Sequence, residues 1–472
     1  MHRFLLSSAC WLTLTACSTM APTYKRPTAP ISANWPSGPA YSPAQAAPLA
    51  AVDMPWREFI VDERLQKVVA QALSQNRSLR KTVSDIAAAR AQYGEANAAL
   101  FPTVGATVAT SSSRTIAGTS GSGVTTAFAR SASAGVGISS YELDLFGRVA
   151  SLSEAALQTF LATEAANRSA RISLIASTVT AWLQLAADRS QLALSQQTLM
   201  SSERAMNLTQ RRLAAGVASR VDVRSAETVY QQARADIANH ITAIAQDRNA
   251  LELLVGAEVD DALLPDALSD QAAWLSDVPA GLTSDVLLRR PDVQQAEYQL
   301  KSANANVDAA RAALFPKLTL TGSAGVASAA LSTLASGGAT VWTVAPSLGL
   351  TLFDGGARRS ALQYSRAQRE GYVASYELAV QTAFKETADA LARAGTVAEQ
   401  LHASRASVAA AQDSATLAMA RYQKGVDTFL AALTAQRALY STQQALVSAK
   451  LASLGNRVTL YKALGGRLAE GS

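Results

Sequence analysis

The chain has 472 residues and a formal net charge of +6, from 42 Lys and Arg against 36 Asp and Glu, with three histidines and two cysteines. Its basic residues are dispersed, so the charge does not form the clustered patch of a nucleic-acid-binding surface. No His, Cys or carboxylate cluster has metal-ligand spacing, and no nucleophile elbow, phosphate loop or catalytic triad is present. The sequence therefore predicts no enzyme, metal or cofactor, and His240 and His402 are expected at solvent-exposed helix surfaces.

Residues 1–16 are predicted to be a signal peptide. Arg3 precedes an apolar stretch, Phe4 to Thr13, which is too short to span a bilayer and is typical of a secretory signal. The stretch ends in Leu14-Thr15-Ala16-Cys17, which resembles the lipobox of bacterial lipoproteins and implies lipidation of Cys17. Ser18 replaces the aspartate that usually marks inner-membrane retention, so the outer membrane is favoured. The alternative is an ordinary signal peptide with a chance cysteine.

The segment after the predicted cleavage site is expected to be an acylated tether. Residues 17–55 contain eight prolines among Ala and Ser, a composition that favours an extended chain over a packed core. Cleavage would also remove Cys10, so the mature chain could form no internal disulfide.

The rest of the chain contains an internal duplication. Three sequence patterns recur 214, 207 and 209 residues later: Ala99-Leu100-Phe101-Pro102 as Ala313-Leu314-Phe315-Pro316, Leu143-Asp144-Leu145-Phe146-Gly147 as Leu350-Thr351-Leu352-Phe353-Asp354, and Arg212-Leu213-Ala214-Ala215-Gly216-Val217 as Arg421-Tyr422-Gln423-Lys424-Gly425-Val426. A period of this length indicates that a whole supersecondary unit is duplicated. We place the repeats at 56–255 and 286–455, with a linker at 256–285 and a C-terminal segment at 456–472.

Each repeat is expected to contain a helix, two strands, a long helix, a tip turn (215–219 or 424–428) and a short helix. Residues 148–215 contain neither Gly nor Pro, which predicts a helix on the order of 100 Å long. The other helices are expected at 56–101, 217–255, 292–315, 357–424 and 426–454. Their Ala, Ser and Gln content permits close approach with little bulk for a solid core, which favours hollow or sheet-like packing. The alternative is a filamentous coiled coil, but this sequence has no clean, sustained heptads.

Four strands are predicted, at about 102–113, 131–145, 317–327 and 341–353, with loops at 114–127 and 328–340. Apolar and hydroxyl side chains alternate along each for about ten residues, the pattern of a transmembrane barrel strand. Pro346 inside the last strand indicates a bulge or an edge position. Because the smallest bacterial barrels have about eight strands, the chain is expected to oligomerise around a shared axis.

Four phenylalanines lie at the predicted helix–strand junctions: Phe101, Phe146, Phe315 and Phe353. If the strands cross the membrane and the helices lie on one side, all four rings share one interfacial level, as in an aromatic girdle. Ordinary junction packing is the alternative for one or two of them.

The sequence resembles the outer-membrane factor family typified by TolC and OprM, within its NodT-like lipoprotein branch. The resemblance rests on Cys17, Tyr24-Lys25-Arg26-Pro27, Trp56-Arg57-Glu58-Phe59, Asn76-Arg77-Ser78-Leu79-Arg80, Ala99-Leu100-Phe101-Pro102, Glu142-Leu143-Asp144-Leu145-Phe146-Gly147, Arg289-Arg290-Pro291-Asp292-Val293, Ala309-Ala310-Arg311-Ala312-Ala313-Leu314-Phe315-Pro316 and Leu352-Phe353-Asp354-Gly355-Gly356. It implies a mainly α homotrimer with a 12-stranded membrane β-barrel, four strands from each chain, continued by an α-helical periplasmic barrel. Residues 256–285 and 456–472 would form an equatorial belt.

The resemblance also implies a function. The chain would be the exit duct of a tripartite efflux pump, conducting drugs or other small toxic compounds passively across the outer membrane. Its partners would be a periplasmic adaptor and an inner-membrane transporter, usually of the resistance-nodulation-division type, whose docking opens a gate at the periplasmic tip. The alternatives are a periplasmic adaptor lipoprotein, which would have a single coiled-coil hairpin and a lipoyl-like β domain, and a lipid-anchored hydrolase.

The tip carries the predicted sites. By position in the family, Ala215-Gly216-Val217 and Lys424-Gly425-Val426 would contact the adaptor. Asp222 matches a gate aspartate and Tyr422 a gate tyrosine that bonds across to it. Asp427, Ala431 and Thr434 depart from the family's gate residues, so the resemblance does not extend to a cation-binding carboxylate ring.

Overall fold

The structure, a computed structural model, describes residues 24–41, 54–120, 123–268, 273–278 and 283–466, with the backbone alone at 117–120 and 123–125. The predicted signal peptide, Cys17 and part of the tether lie outside these residues. Two compact units are formed. The sheet unit contains residues 86–163, 296–376 and the N-terminal stretch to Thr28, and the helical unit contains residues 29–85, 164–295 and 377–472.

The two repeats have the same order of elements. The first contains α1 (Trp56–Phe59), α2 (Glu63–Gln75), α3 (Arg77–Ala98), β1 (Val104–Ser120), β2 (Gly123–Leu143), α4 (Arg148–Ala214) and α5 (Arg220–Val255). The second contains α6 (Pro291–Ala312), β3 (Lys317–Ser328), a short α7 (Leu334–Gly337), β4 (Ala339–Gly349), α8 (Ala357–Gln423) and α9 (Phe429–Ala463). Because α4 and α8 both have 67 residues, the duplication preserves helix length as well as order.

Two helical segments differ from the sequence prediction. The helix expected at 56–101 is interrupted at 60–62 and again at Asn76. The Asn76 side-chain oxygen accepts a hydrogen bond from the Leu79 amide at 2.8 Å, and its side-chain nitrogen donates to the Leu254 carbonyl at 2.7 Å. Such side-chain bonds to the backbone favour a helix start over a helix interior. At the other end, α9 continues through Gly455 to Ala463, so part of the segment expected at 456–472 is helix.

The four strands form one antiparallel sheet in the order β1-β2-β3-β4. The first hairpin is longer than predicted, because pairing continues from Val104↔Ile138 to Ser120↔Gly123 through the segment expected to be a loop at 114–127. Threonines favour the strand, and hydroxyl groups also pair across it, with Ser111 Oγ 2.8 Å from Ser131 Oγ.

The sheet has two register shifts, and the first lies in the β1–β2 hairpin between Ile116 and Gly118. The β2–β3 register shifts between Ile138 and Tyr141, where Ser140 has a positive φ of 60°. Pro346 instead keeps its place in the β3–β4 ladder, opposite Leu320. Of the two positions predicted for Pro346, the structure therefore shows the edge strand rather than a bulge in this ladder.

The helical unit has a local hydrophobic core, in which α1, α2 and linker residues pack on α4. Its largest buried side chains include Trp182, which meets Trp274 edge to face at a centroid distance of 4.9 Å, and Phe59, which stacks on Tyr461 at 4.3 Å. Of the described helices, α4 alone is long and apolar enough to cross a membrane. Much of its apolar stretch, including Ile175, Val179 and Leu183, lies in this core.

A close backbone approach between β2 and β3 depends on glycine. Gly135 and Gly325 lie opposite each other, and a Cβ on Gly325 would lie 2.3 Å from the Ala134 oxygen and 2.6 Å from the Gly135 Cα. Both neighbours are backbone atoms, so the sheet itself would have to move to accommodate a side chain. Gly322, in the same strand, has only one ordinary neighbour, the Thr343 oxygen at 3.6 Å.

We therefore predict that Gly325→Ala destabilises the sheet by about 1–3 kcal/mol, the usual cost of overpacking. The melting temperature and the yield of folded protein in detergent should both fall. Gly322→Ala is the matched control and should leave both unchanged. Equal effects of the two substitutions would contradict the role assigned to the Gly135–Gly325 contact.

Candidate functional site

The two tip turns have the same geometry. Gly216 and Gly425 both have a φ of 73°, a left-handed conformation that favours glycine after a helix. In the first turn the Gly216 amide donates to the Leu213 oxygen at 2.9 Å and the Val217 amide to the Arg212 oxygen at 2.9 Å. The corresponding bonds after α8, from Gly425 and Val426, are both 3.0 Å long. Each turn thus ends its long helix with a Schellman-type motif and exposes one valine, Val217 or Val426.

Asp222 closes a capping box at the start of α5. Its backbone amide donates to Ser219 Oγ at 3.1 Å, while its carboxylate accepts from the Ser219 amide at 2.9 Å and the Ser219 hydroxyl at 2.8 Å. This arrangement satisfies two amides that the first helical turn leaves without partners. In the second repeat, Thr428 caps α9 and Ala431 takes the place of the aspartate, so that box is incomplete.

Tyr422 belongs to a small core beside the tip turns. Its side chain is 4% exposed, and its ring lies 5.2 Å from that of Phe429. The Arg212 guanidinium lies 4.5 Å from the Tyr422 ring centroid and donates to the Tyr422 carbonyl oxygen at 2.7 Å. The tyrosine hydroxyl has a long contact, 3.5 Å, with Thr209 Oγ1. Tyr422 therefore joins the end of the first repeat's long helix to the second repeat.

The bond expected between Asp222 and Tyr422 is not among the contacts within this chain. The Asp222 carboxylate is held by Ser219, whereas the Tyr422 hydroxyl is buried against Thr209. Sequence reasoning missed Arg212 as the cation on the tyrosine ring, although it lies in the recurring tip pattern. Its counterpart Arg421 differs, since it pairs across the second turn with Asp427 at 2.7 Å.

The four junction phenylalanines lie at one end of the sheet. Phe101 and Phe315 precede the first strand of each hairpin, and Phe146 and Phe353 follow the second, so antiparallel pairing brings all four to the same side. Phe146 and Phe315 stack at a centroid distance of 5.0 Å and an interplanar angle of 21°. Phe101 and Phe353 remain 66% and 89% exposed. Two rings thus pack as a junction pair, and two have no such covering within the chain.

A bidentate ion pair fixes the described start of the tether. Arg26 donates from Nε to Glu297 Oε1 at 3.1 Å and from Nη2 to Oε2 at 2.8 Å, and Lys301 adds a contact to the same carboxylate at 3.2 Å. Glu297 is buried on α6 whereas the Arg26 side chain is 48% exposed, so solvent screens the pair from one side only. The sequence showed Tyr24-Lys25-Arg26-Pro27 as a family pattern but not the partner of Arg26.

The sequence analysis also did not identify a carboxyl pair between α4 and α5, formed by Asp188 and Asp247. Burial, followed by the neighbouring Asp188 carboxyl, raises the pKa of Asp247 to about 7. Both effects disfavour ionisation of the Asp247 carboxyl. His240 also lies here, with Nδ1 3.9 Å from Asp188 Oδ1, and it is only 19% exposed rather than solvated as predicted. His402 is exposed. In the described part of the chain, no three His, Cys, Asp or Glu side chains are arranged to hold a metal ion.

We predict that Asp247 makes stability pH-dependent. Its carboxyl binds a proton more tightly in the folded state than at its ordinary pKa of 3.8, so its contribution is complete below about pH 4 and is lost as the pH rises through about 7. Asp247→Asn cannot lose that proton. Its melting temperature relative to the unsubstituted protein should therefore rise between pH 5 and 8, measured by circular dichroism in detergent.

Asp413→Asn removes an exposed carboxylate from α8 and serves as the control, whose difference should stay constant with pH. A constant difference for Asp247→Asn as well would contradict the raised pKa.

Comparison with known proteins identifies the family. The model of the outer membrane efflux protein family matches residues 68–257 and 282–466. A probable efflux pump outer membrane protein of Pseudomonas putida, TtgC, is 45% identical over 99% of this chain and 96% of its own length. Outer membrane protein OprJ of Pseudomonas aeruginosa is 42% identical over 98% of this chain and 95% of its own length.

Solved structures show the same fold. The open-state MtrE outer membrane channel of Neisseria gonorrhoeae superposes with a TM-score of 0.83, at 36% identity, over 95% of this chain and 98% of that one. The family match, the relatives and this fold agree with the predicted resemblance and set aside the adaptor and hydrolase alternatives. The chain belongs to the outer membrane efflux protein family and is an outer-membrane efflux channel protein.

Proposed function

We propose that three copies of this chain form the exit duct of a tripartite efflux pump, gated at its periplasmic tip and anchored by lipid on Cys17. The observation that carries the proposal is the four-stranded sheet, whose outer strands β1 and β4 have no neighbouring strand on one side among the described residues. Backbone groups at such an edge have no hydrogen-bond partner in lipid, and four strands are too few to close a barrel. Three copies would supply twelve strands and leave no edge.

The two tip turns are proposed to dock a periplasmic adaptor, with an inner-membrane transporter, of the resistance-nodulation-division type, as the third component. Their equal φ values and hydrogen-bond patterns support this role, since a trimer would present six similar loops to one kind of partner. Each loop offers an exposed valine beside a glycine, so an adaptor would meet a small apolar surface at each turn, with the exposed Lys424 adding a positive charge at the second.

Asp222 and Tyr422 are proposed to hold the gate. Asp222 fixes where α5 begins, and Tyr422 couples Arg212 at the end of α4 to Phe429 at the start of α9. Movement of the helices beside the turns would have to disturb these contacts. The alternative is that Asp222 only caps its helix and Tyr422 only packs.

We predict that Asp222→Ala combined with Tyr422→Phe loosens the closed aperture. The two substitutions remove the charge-assisted hydrogen bond that the Asp222 carboxylate accepts from the Ser219 amide and the contact of the Tyr422 hydroxyl with Thr209. A charge-assisted hydrogen bond contributes roughly 1.5–3 kcal/mol, and the loss would be repeated in every subunit. Single-channel conductance in planar bilayers should rise, and cells should become sensitive to large antibiotics such as vancomycin, with the trimer yield unchanged.

Ser219→Ala is the matched control because it breaks the same capping box but keeps the Asp222 carboxylate. It should lower the melting temperature, at a cost of about 1 kcal/mol, without changing conductance. Unaltered conductance in the double variant, or an equal rise in the control, would refute a gate function for the carboxylate.

Anchoring is tested separately at Cys17. We predict that Cys17→Ser abolishes incorporation of radiolabelled palmitate while the protein still fractionates with the outer membrane, since twelve strands supply more membrane affinity than acyl chains do. Recovery of the variant as a soluble periplasmic protein would contradict insertion by the strands. Palmitate incorporation that persists in the variant would instead contradict Cys17 as the lipidation site.

A further inference from the structure

The first hairpin carries two arginines near the end of the sheet that is distant from the helices. Arg114 lies on β1 and Arg130 on β2, far along a ladder that begins at Val104↔Ile138. Residues 102–141 contain no Asp or Glu, and neither do residues 309–353. The described part of the sheet therefore offers no carboxylate at that end to neutralise the two guanidinium groups.

Both arginines lie on the apolar face of the sheet. Every second residue along a strand shares a face, and so do residues directly opposite each other in an antiparallel ladder. Arg114 lies six residues beyond Val108 on β1, and its partner across the ladder is Phe128. Arg130 is two residues from Phe128 and shares its face. Because the opposite face is rich in hydroxyl groups, the apolar face is the one that would contact lipid.

The two arginines lie at the outer edge of the region that would cross the bilayer. A transmembrane strand needs about 9–11 residues. Trp342 on β4 lies eleven residues before Phe353, and Arg114 on β1 lies thirteen residues after Phe101. If the junction phenylalanines mark the periplasmic interface, Trp342 marks the outer one and Arg114 lies just beyond it. A lipid-facing arginine is tolerated far better at an interface than at the midplane.

Both side chains are held against the sheet, close to each other. Arg114 Nε donates to Thr126 Oγ1 at 3.1 Å, and the Arg130 guanidinium lies 5.0 Å from the centroid of the Phe128 ring. Arg114 and Arg130 are diagonal neighbours in the ladder, a separation of about 7–8 Å that long side chains can bridge. One anion could therefore be reached by both guanidinium groups and would relieve their mutual repulsion.

We infer that Arg114 and Arg130 bind a phosphate group of a phosphorylated glycolipid in the outer leaflet of the membrane. A guanidinium group matches the geometry of phosphate with two parallel hydrogen bonds and is less strongly hydrated than an ammonium group. Lipid A, the glycolipid of bacterial outer membranes, carries its phosphates on sugars at this depth. The inference rests on the proposed insertion of the sheet and adds the lipid that the sheet recognises.

The apolar side chains beside the arginines favour a glycolipid over a phospholipid. Phe128 is 60% exposed and Ile116 is 68% exposed. Both lie on the same face as Arg114, level with it or further from the helices. At this level a phospholipid has only a small headgroup beyond its phosphate, whereas lipid A has sugar rings, whose C–H faces can pack on apolar side chains.

The second repeat does not contain a corresponding site. Residues 318–353, which include nearly all of the second hairpin, have no Asp, Glu, Lys or Arg. The duplication therefore did not preserve the arginine pair, and each chain would have one site of this kind. A trimer would bind three lipid molecules rather than six.

Lipid binding in detergent tests the inference. Native mass spectrometry of the purified protein, titrated with bis-phosphorylated lipid A, should show three tightly bound molecules per trimer. Arg114→Gln with Arg130→Gln should weaken binding by about tenfold or more, because two charge-assisted contacts are lost. Arg77→Gln with Arg80→Gln removes the same charge from exposed positions on α3 and should leave the affinity unchanged. Unchanged affinity in the first variant would overturn the site.

Three further ligands distinguish the possible sources of the phosphate. Lipid A stripped of its phosphates should bind the unsubstituted protein as weakly as lipid A binds the double variant. Phosphatidylglycerol that binds as tightly as lipid A would overturn the choice of a glycolipid. Inorganic phosphate that displaces lipid A at equal concentration would show a site for the free anion and overturn the lipid assignment.

Particle mass, measured by light scattering on the same preparations, separates this inference from the proposed function. A trimer that does not distinguish lipid A from its dephosphorylated form would overturn the lipid site and leave the proposed duct standing. A monomer that binds one lipid A through the two arginines would overturn the trimer and leave the site standing. A monomer that does not bind lipid A would overturn both.

Discussion

The constraint on which this structure depends is the need of every backbone N–H and C=O to find a partner where water is absent. Within one chain the sheet meets this need between β1 and β2, β2 and β3, and β3 and β4, but not along the outer sides of β1 and β4. In a bilayer no solvent replaces the missing partners. In the proposed trimer, neighbouring copies would supply these missing partners, so assembly would contribute directly to the stability of the sheet.

The duplication places one β-hairpin in each repeat, and the two hairpins form one sheet. Because both repeats contain a hairpin, β2 and β3 join one repeat to the other inside the chain. The Phe146–Phe315 stack and the close Gly135–Gly325 approach show what such a contact requires: an aromatic pair at its end and small residues where backbones nearly touch. The β2–β3 ladder is interrupted near Ser140, whereas the β3–β4 ladder is continuous.

The two tip turns have the same backbone geometry but different side chains around them. Both turns follow 67-residue helices and have the same φ at their glycines. Around them, however, Asp222 completes a capping box that Ala431 cannot, and Arg212 lies over Tyr422 whereas Arg421 pairs with Asp427. The turn geometry is fixed by local helix termination, while the neighbouring side chains differentiate the repeats. A gate would use that second set of contacts.

The sequence by itself determined the repeated order of elements, the four strands, the tip turns and the family. These features follow from local signals: runs without Gly or Pro, alternation of apolar and hydroxyl residues, and glycine after a long helix. The local core around Trp182 and Trp274 was not predictable, because aromatic residues distant in the chain meet only after the helices pack. The same holds for Arg26 on Glu297 and for Asp247 beside Asp188, since separation in sequence hides which charges become neighbours. Pro346 is visible in the sequence as an irregularity, but its regular place on the edge strand β4 is known only from its pairing with Leu320 of β3.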